Sequence, residues 1–151
     1  MSAAAPISLT IVHEVDAGHS LTFLASDGRG HFQHHRLALA DAALQPWRQA
    51  PADPAAQRAF GAGLAQALLP GPVRQFLADQ ADALLLLVLP ESLLDLPWEL
   101  AVVDAAGEQL LDERHLVQRL LLGLPPAAAP GARRAPGQRL PVLCVGAAEA
   151  A

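Results

Sequence analysis

Apolar and polar side chains alternate along three short stretches within the first forty residues. These stretches are residues 7–12, 20–25 and 31–39, and a period of two is typical of half-buried β-strands. Asp27-Gly28 lies between the second and third stretches, and glycine readily adopts the positive φ that a tight hairpin turn requires. The pattern predicts that the fold begins with a small antiparallel meander.

After residue 50 the apolar residues recur at the spacing of an α-helix. Asp53 followed by Pro54 is typical of an N-cap with proline at the first helical position. The core-facing stripe of this helix is expected at Phe60, Leu64, Ala67 and Leu68. Pro70-Gly71 ends the helix, and Pro72 begins a shorter one. The apolar face of the second helix is formed by Val73, Phe76 and Leu77.

An uninterrupted apolar run over residues 83–89 follows the helices. Such a run predicts a central strand covered on both faces. Residues 98–104 and 109–111 suggest a hairpin, or a short helix running into one, and residues 115–122 suggest a further strand. Together these elements predict an α/β fold, α+β in detail.

Composition and charge narrow the class of protein. The chain has 151 residues and 52% hydrophobic side chains, enough for one domain with a core. Its net charge of −5 argues against a nucleic-acid partner. No apolar run approaches the roughly 20 residues of a membrane span, so no transmembrane segment is predicted. No basic residue precedes an apolar N-terminal segment, so the N-terminus is not expected to be a signal peptide. The single cysteine, Cys144, excludes an internal disulfide and fits a reducing cytoplasm.

The C-terminal part divides into two segments. Residues 123–138 are rich in proline, glycine and alanine, which is typical of a linker. Residues 139–147 then form an apolar stretch expected to begin a new buried strand, four residues before the chain ends at Ala151. One strand cannot bury its own faces, so we expect a fragment: residues 1–122, a linker at 123–138, and a truncated core strand at 139–151.

The histidines offer one candidate for chemistry. His31, His34 and His35 suggest a metal site, because imidazole is a common transition-metal ligand. On a strand, however, His34 points away from the other two, and no cysteine, aspartate or glutamate lies nearby at ligand spacing. We favour a solvated hairpin edge over a metal-dependent enzyme. His13, His19 and His115 are each expected at the surface.

No convincing catalytic set is found in the sequence. Cys144 lies within an apolar strand pattern, where cysteine behaves as a small core residue rather than a nucleophile. Gly61 and Gly63 lie inside a helical pattern, not in a phosphate-binding loop between a strand and a helix. We therefore assign no catalytic residue, no metal ligand and no cofactor.

Leu96-Pro97-Trp98-Glu99 is the most distinctive element, since it places a tryptophan and a carboxylate beyond the exit of the apolar strand. Glu99 alone is a weak acid–base candidate. It could instead cap the N–H groups of a following helical turn, with Pro97 fixing φ at the entry. We favour a structural corner, because a carboxylate without a second titratable partner does little chemistry.

Several segments together resemble the N-terminal half of a CHAT domain, a caspase-like domain often found with tetratricopeptide repeats. These segments are QALLPGPV (66–73), the apolar strand, LLDLPWEL (93–100), QLLDE (109–113), VQRL (117–120) and LPVLCVGA (140–147). Together they span roughly residues 7–147, and the Leu-Pro-Trp-Glu element is the specific part.

The resemblance implies a parent cysteine peptidase, bacterial and cytoplasmic, that cleaves peptides with a Cys–His dyad. The family's histidine lies in a His-Gly pair and its cysteine follows a later strand, and neither can be matched here. This chain is therefore expected to be inactive alone, a structural or regulatory half. Its partner would be the remainder of its own domain, with repeats or another protein possible. The alternative is a stand-alone interaction module that pairs its strands with a partner chain.

Overall fold

One mixed sheet organises the part of the chain that the structure, a computed structural model, describes: residues 5–15, 18–40, 42–80, 82–103 and 109–123. Five strands form it in the order β3-β2-β1-β4-β5. Their bounds are β1 Ile7–Glu14, β2 Ser20–Ser26, β3 Phe32–Ala38, β4 Leu84–Leu89 and β5 Leu116–Leu121. The helices are α1 Pro54–Leu68, α2 Gly71–Asp79 and α3 Leu111–Arg114, with single 3₁₀ turns at Gln45–Trp47, Glu91–Leu93 and Trp98–Leu100.

The first three strands form the antiparallel meander that the alternating pattern predicts. β1 pairs with β2, and β2 pairs with β3, with Ser26 opposite Phe32 beside the hairpin turn. Gly28 and Gly30 have φ of +69° and +102°, values that glycine adopts without a steric cost. The predicted turn at Asp27-Gly28 is confirmed.

The other half of the sheet is parallel. β4 lies between β1 and β5, with Ile7 opposite Leu85 and Leu85 opposite Val117. Parallel neighbours need a long crossover, and the two longer helices lie in the connection from β3 to β4. The predicted α/β class is confirmed.

Both predicted helices are present. Asp53 caps α1, because its Oδ2 accepts the N–H of Ala56 at 2.9 Å. The buried positions of α1 are Gly61, Leu64, Ala65 and Leu68. Ala67 is exposed, so its assignment to the stripe was wrong; the neighbouring sheet and loop select a face centred on Ala65. The expected face of α2 is confirmed by burial of Val73, Phe76 and Leu77.

The helices cover one face of the sheet. Alternate residues of the inner strands are buried there: Ile7, Leu9, Ile11, Leu21, Phe23, Ala25, Leu85, Leu87 and Leu89. The prediction that β4 is covered on both faces is wrong for the described residues, because Leu84, Leu86 and Val88 are only half-buried. A continuous apolar run in the sequence does not distinguish a face covered by helices from one left partly open.

A short excursion of the chain connects β4 to β5. Val102 and Leu110 form an isolated antiparallel bridge, and α3 follows, with Glu113 accepting the N–H of Leu110 at 3.0 Å. The expected hairpin or short helix is thus present in part, and residues 104–108 lie outside the described ranges. The linker after Gly123 and the strand expected at 139–147 also lie outside them.

A search of the described helices for a membrane span found none of the required length and apolarity.

Candidate functional site

Trp98 is the largest fully buried side chain of the described core, with 1% of its surface exposed. Its indole Nε1–H donates to the carbonyl of Leu93 at 3.0 Å, and its backbone N–H donates to the carbonyl of Leu96 at 2.9 Å. Leu93 and Leu96 are themselves buried. Trp98 therefore holds the preceding loop on the core through these hydrogen bonds. We name residues 93–100 the Trp98 corner.

Glu99 meets a partner that its local sequence does not reveal. Both of its carboxylate oxygens accept from the guanidinium of Arg119, on β5, in a two-point contact. Arg119 also donates to the carbonyls of Leu94 and, at 2.9 Å, Leu96. The planar guanidinium is well suited to such multiple contacts. The capping role considered for Glu99 is wrong, because Arg119 from another element occupies its carboxylate.

Gly61 allows helix α1 to lie directly on the Trp98 corner. A Cβ at position 61 would meet the carbonyl oxygen of Leu100 at 1.8 Å, far inside van der Waals contact. The close approach lets the N–H of Val102 donate to the carbonyl of Gly61 at 3.2 Å. Gly61, which the sequence only excluded from a phosphate-binding loop, therefore has a packing role.

The chemistry open to the Trp98 corner is limited by this bonding. Glu99 and Arg119 are each about 28% exposed and each satisfies the other. Both carboxylate oxygens of Glu99 are bonded to the guanidinium of Arg119, a two-point geometry well suited to holding two elements together. The geometry instead joins the loop, helix α1 and strand β5 into one unit.

The hairpin turn contains a second contact between a carboxylate and a basic side chain, Asp27 and His31, which sequence reasoning missed. Asp27 is buried, and its Oδ1 accepts the N–H groups of Arg29 at 2.8 Å and His31 at 3.1 Å. Its Oδ2 lies 2.5 Å from Nδ1 of the exposed His31 ring. The hydrogen bonds lower the pKa of Asp27, first that from the His31 side chain and then that from the Arg29 N–H. The four-residue spacing of Asp27 and His31 across a turn was the available signal.

The three clustered histidines do not converge. His31 pairs with Asp27, His34 faces solvent, and His35 lies 3.4 Å from the amide oxygen of Gln33. Within the described ranges, three or more potential ligands from histidine, cysteine, aspartate and glutamate are nowhere grouped to hold a metal. Cys144 lies outside those ranges.

An open cleft of about 270 Å³ separates the hairpin turn from helix α2. Its walls include Asp27 and His31 on the turn side and Gln75, Phe76 and Asp79 on the helix side. Asp79 already accepts from the Gln75 amide at 2.7 Å. Asp27 and His31 are thus bonded to each other on the turn side, and Gln75 and Asp79 to each other on the helix side.

His115 is buried, so its expected surface position was wrong. Its Nε2–H donates to the carbonyl of Leu77 at 3.0 Å, which joins the residue between α3 and β5 to helix α2. Burial lowers the pKa of His115, with a smaller lowering by Arg114 and opposing effects of the Leu77 and Ala83 backbone and of Asp82. The buried ring is therefore neutral at physiological pH, and it acts as a structural contact between elements.

His13 and His19 lie together at the other end of β1 and β2. Both are half-buried, and their rings are 5.8 Å apart at a tilt of 36°. Burial is the largest cause lowering the pKa of His13, followed by the charges of His19 and Arg48. Their expected surface positions are therefore only partly correct.

Comparison with known proteins gave no match to a family model, a curated protein or a solved structure.

Proposed function

We propose that this chain is the N-terminal part of a CHAT-type, caspase-like cysteine peptidase, a structural or regulatory half that lacks the Cys–His dyad. One observation carries the proposal: the two quoted segments Leu-Pro-Trp-Glu and Val-Gln-Arg-Leu contact each other through Glu99 and Arg119. Two segments that both resemble the CHAT pattern and also contact each other support the resemblance better than their order in the sequence alone.

The parent activity would be peptide-bond cleavage in a bacterial cytoplasm. A cysteine thiol would attack the peptide carbonyl, a histidine would take its proton, and backbone N–H groups would stabilise the oxyanion. All of these groups would come from the remainder of the domain. This chain alone would be inactive, and it would need no cofactor.

The proposed role of residues 1–122 is to support one side of the peptidase core and to shape substrate approach or relay regulation. The Trp98 corner would serve this role because it fixes β5 to the helical layer. In a full-length parent, deletion of residues 1–122 should reduce cleavage or remove its regulation. Unchanged and equally regulated cleavage would contradict this role.

The test of the proposed identity is the intact mass of the native polypeptide, together with the coding sequence read past the codon for Ala151. A longer product with a His-Gly pair and a later cysteine supports the proposal. A native mass of 15.8 kDa with a stop codon there would mean a chain without a dyad and would contradict it.

A stand-alone interaction module is the second candidate, and a specific observation favours it. β5 is the last strand in the sheet order, and its Leu116 and Leu121 side chains are 74% and 41% exposed to solvent. Exposed strand edges pair readily with another chain. Sedimentation and binding of an apolar dye would test it: a stable monomer without dye binding would count against this candidate.

A further inference from the structure

β5 is a regular strand with one open side. It pairs with β4 over six residues, from Leu84 opposite Leu116 to Leu89 opposite Leu121. In the part of the chain that the structure describes, no strand pairs with its other side. Within the described residues, this side of β5 is therefore an unpaired sheet edge.

The direction of each β5 amide follows from the hydrogen bonds at its two ends. Leu116 donates its N–H to the carbonyl of Ala83, and Leu122 donates to the carbonyl of Leu89. Because alternate residues of a parallel strand bond to the same neighbour, the N–H groups of Val117, Arg119 and Leu121 point to the open side.

The usual protections of a free edge are missing from β5. Natural edges are blunted by proline, by bulges or by charged side chains. β5 contains no proline, keeps a regular register and carries a single charge, that of Arg119. Because that charge is bonded to Glu99 in the Trp98 corner, it leaves the edge available for another strand.

The sequence supplies a segment of matching length and character. Residues 140–145, LPVLCV, are apolar and equal β5 in length. Pro141 is the second residue of this segment; proline is accepted at the start of a strand, so the hydrogen-bonded ladder would begin at Val142. About eighteen residues separate Leu121 from Leu140, which exceeds the dozen that a parallel crossover needs.

We propose that residues 140–145 of this chain add to the sheet as a sixth strand, parallel to β5 at its open edge. The segment would accept the N–H groups of Val117, Arg119 and Leu121 and cover part of the exposed Leu116 and Leu121 side chains. This inference goes beyond the proposed function and does not depend on it. The strand can pair whether or not a dyad follows, so the two proposals fail separately.

Residue-resolved hydrogen exchange on the complete 151-residue chain tests the pairing. The amides of Gln118 and Leu120 point toward β4 and serve as internal references. We expect the amides of Val117, Arg119 and Leu121 to exchange at least about 100-fold more slowly than unprotected amides, as hydrogen-bonded strand amides do. Exchange of these three amides at the unprotected rate, with the references protected, would overturn the proposal.

A proline substitution identifies the occupant of the edge. Leu143→Pro removes a donor and disrupts strand geometry, so the three outward amides should lose their protection while Gln118 and Leu120 keep theirs. Ala128→Pro, in the linker, is the matched control and should change nothing. Protection that survives Leu143→Pro and rises with protein concentration would show a second copy at the edge, which would also overturn the proposal.

Discussion

The Trp98 corner and the hairpin turn between β2 and β3 both place a carboxylate against a basic side chain, but at very different distances along the chain. Glu99 and Arg119 are 20 residues apart and lie on different elements. Asp27 and His31 are four residues apart within one turn. The first contact joins a loop to a strand of the sheet, whereas the second closes a loop on itself.

This difference predicts how far a local change spreads. Loss of a contact within the turn affects the hairpin alone, because its strands keep their own ladder. Loss of a contact in the Trp98 corner affects α1, the loop and β5 together, since each packs on the others. The following changes test this comparison, beginning with the largest expected effect.

Trp98→Ala should lower the free energy of unfolding by roughly 3–5 kcal/mol, because a buried aromatic side chain is replaced by a cavity. The Leu93 carbonyl would also lose one of its two donors and keep only the N–H of Leu96. Urea unfolding followed by circular dichroism measures the change. The matched control is Trp47→Ala: Trp47 is half-buried and packs edge-to-face on Phe60 at 5.4 Å, so the loss should be clearly smaller. Equal losses would place Trp98 outside the core.

Gly61→Ala should lower the free energy of unfolding by about 1–3 kcal/mol or more, because the new methyl group meets the backbone of Leu100 and overpacking distorts its surroundings. Gly63→Ala is the control on the same helix. Its Cβ would meet the outer edge of the half-buried Trp47 ring at 2.8 Å rather than the backbone of another segment, and alanine favours the helix by up to about 1 kcal/mol. In thermal melts, Gly61→Ala should therefore have a clearly lower melting temperature than Gly63→Ala. A stable Gly61→Ala protein would contradict the close contact.

Arg119→Met should lower the free energy of unfolding by about 1–3 kcal/mol, since Glu99 and the Leu94 carbonyl lose this donor and the Leu96 carbonyl keeps only the N–H of Trp98. Arg58→Met is the control, because Arg58 contacts Glu113 in an exposed pair at 3.0 Å, and such pairs contribute at most about 1 kcal/mol. Denaturant titrations at equal ionic strength compare the two. A larger effect at position 58 would reverse the ranking of the sites.

Acid should destabilise the fold at His115, the residue that precedes β5 and contacts helix α2. Burial holds the pKa of His115 below its ordinary value of 6.5, so the unfolded chain binds the proton more readily than the folded one. The stabilisation is complete above pH 6.5 and is lost as the pH falls below that value toward the folded-state pKa. Unfolding midpoints between pH 7.5 and 5 should show this slope. His115→Gln should reduce this slope and leave the part that comes from His13, whose pKa burial also lowers; an unchanged slope in that variant would assign it to other groups.

Asp27→Asn should give the smallest and most local effect. The pKa of Asp27 is held below its ordinary value of 3.8, so the stabilisation by its carboxylate is present above that value and is lost as the pH falls through the folded-state pKa. Wild type and variant should therefore differ at neutral pH and converge in strong acid. Hydrogen exchange should change in the turn at Arg29 and His31 only. A change that reaches β5 would contradict the local character of this pair.

Sequence reasoning succeeded where the determining contacts are local. The Asp27-Gly28 turn and the Asp53 cap depend on neighbours within a few residues, so local patterns were sufficient. The predicted faces were correct at α2, where three apolar residues repeat at helical spacing.

Failures occurred where the partner is distant in the chain. His115 looked like a surface residue beside acidic neighbours, but its partner is the carbonyl of Leu77, 38 residues away. Glu99 seemed to lack a charged partner because Arg119 comes from the next strand. Ala67 has the right residue type for the stripe, and only the position of the sheet excludes it. The exception is Asp27, a local partner of His31 whose pairing was overlooked.

The mixed sheet also has a consequence for folding kinetics. The meander joins neighbours in the chain, whereas Ile7 of β1 meets Leu85 of β4 across roughly eighty residues, and contacts between distant residues form slowly because the intervening chain must first be ordered. We expect β1, β2 and β3 to gain protected amides before β4 docks. Pulse-labelled hydrogen exchange during refolding would show this order as early protection of Phe23 and late protection of Leu87. During that interval the β4-facing side of β1 would be transiently unpaired, and refolding yield should therefore fall as protein concentration rises.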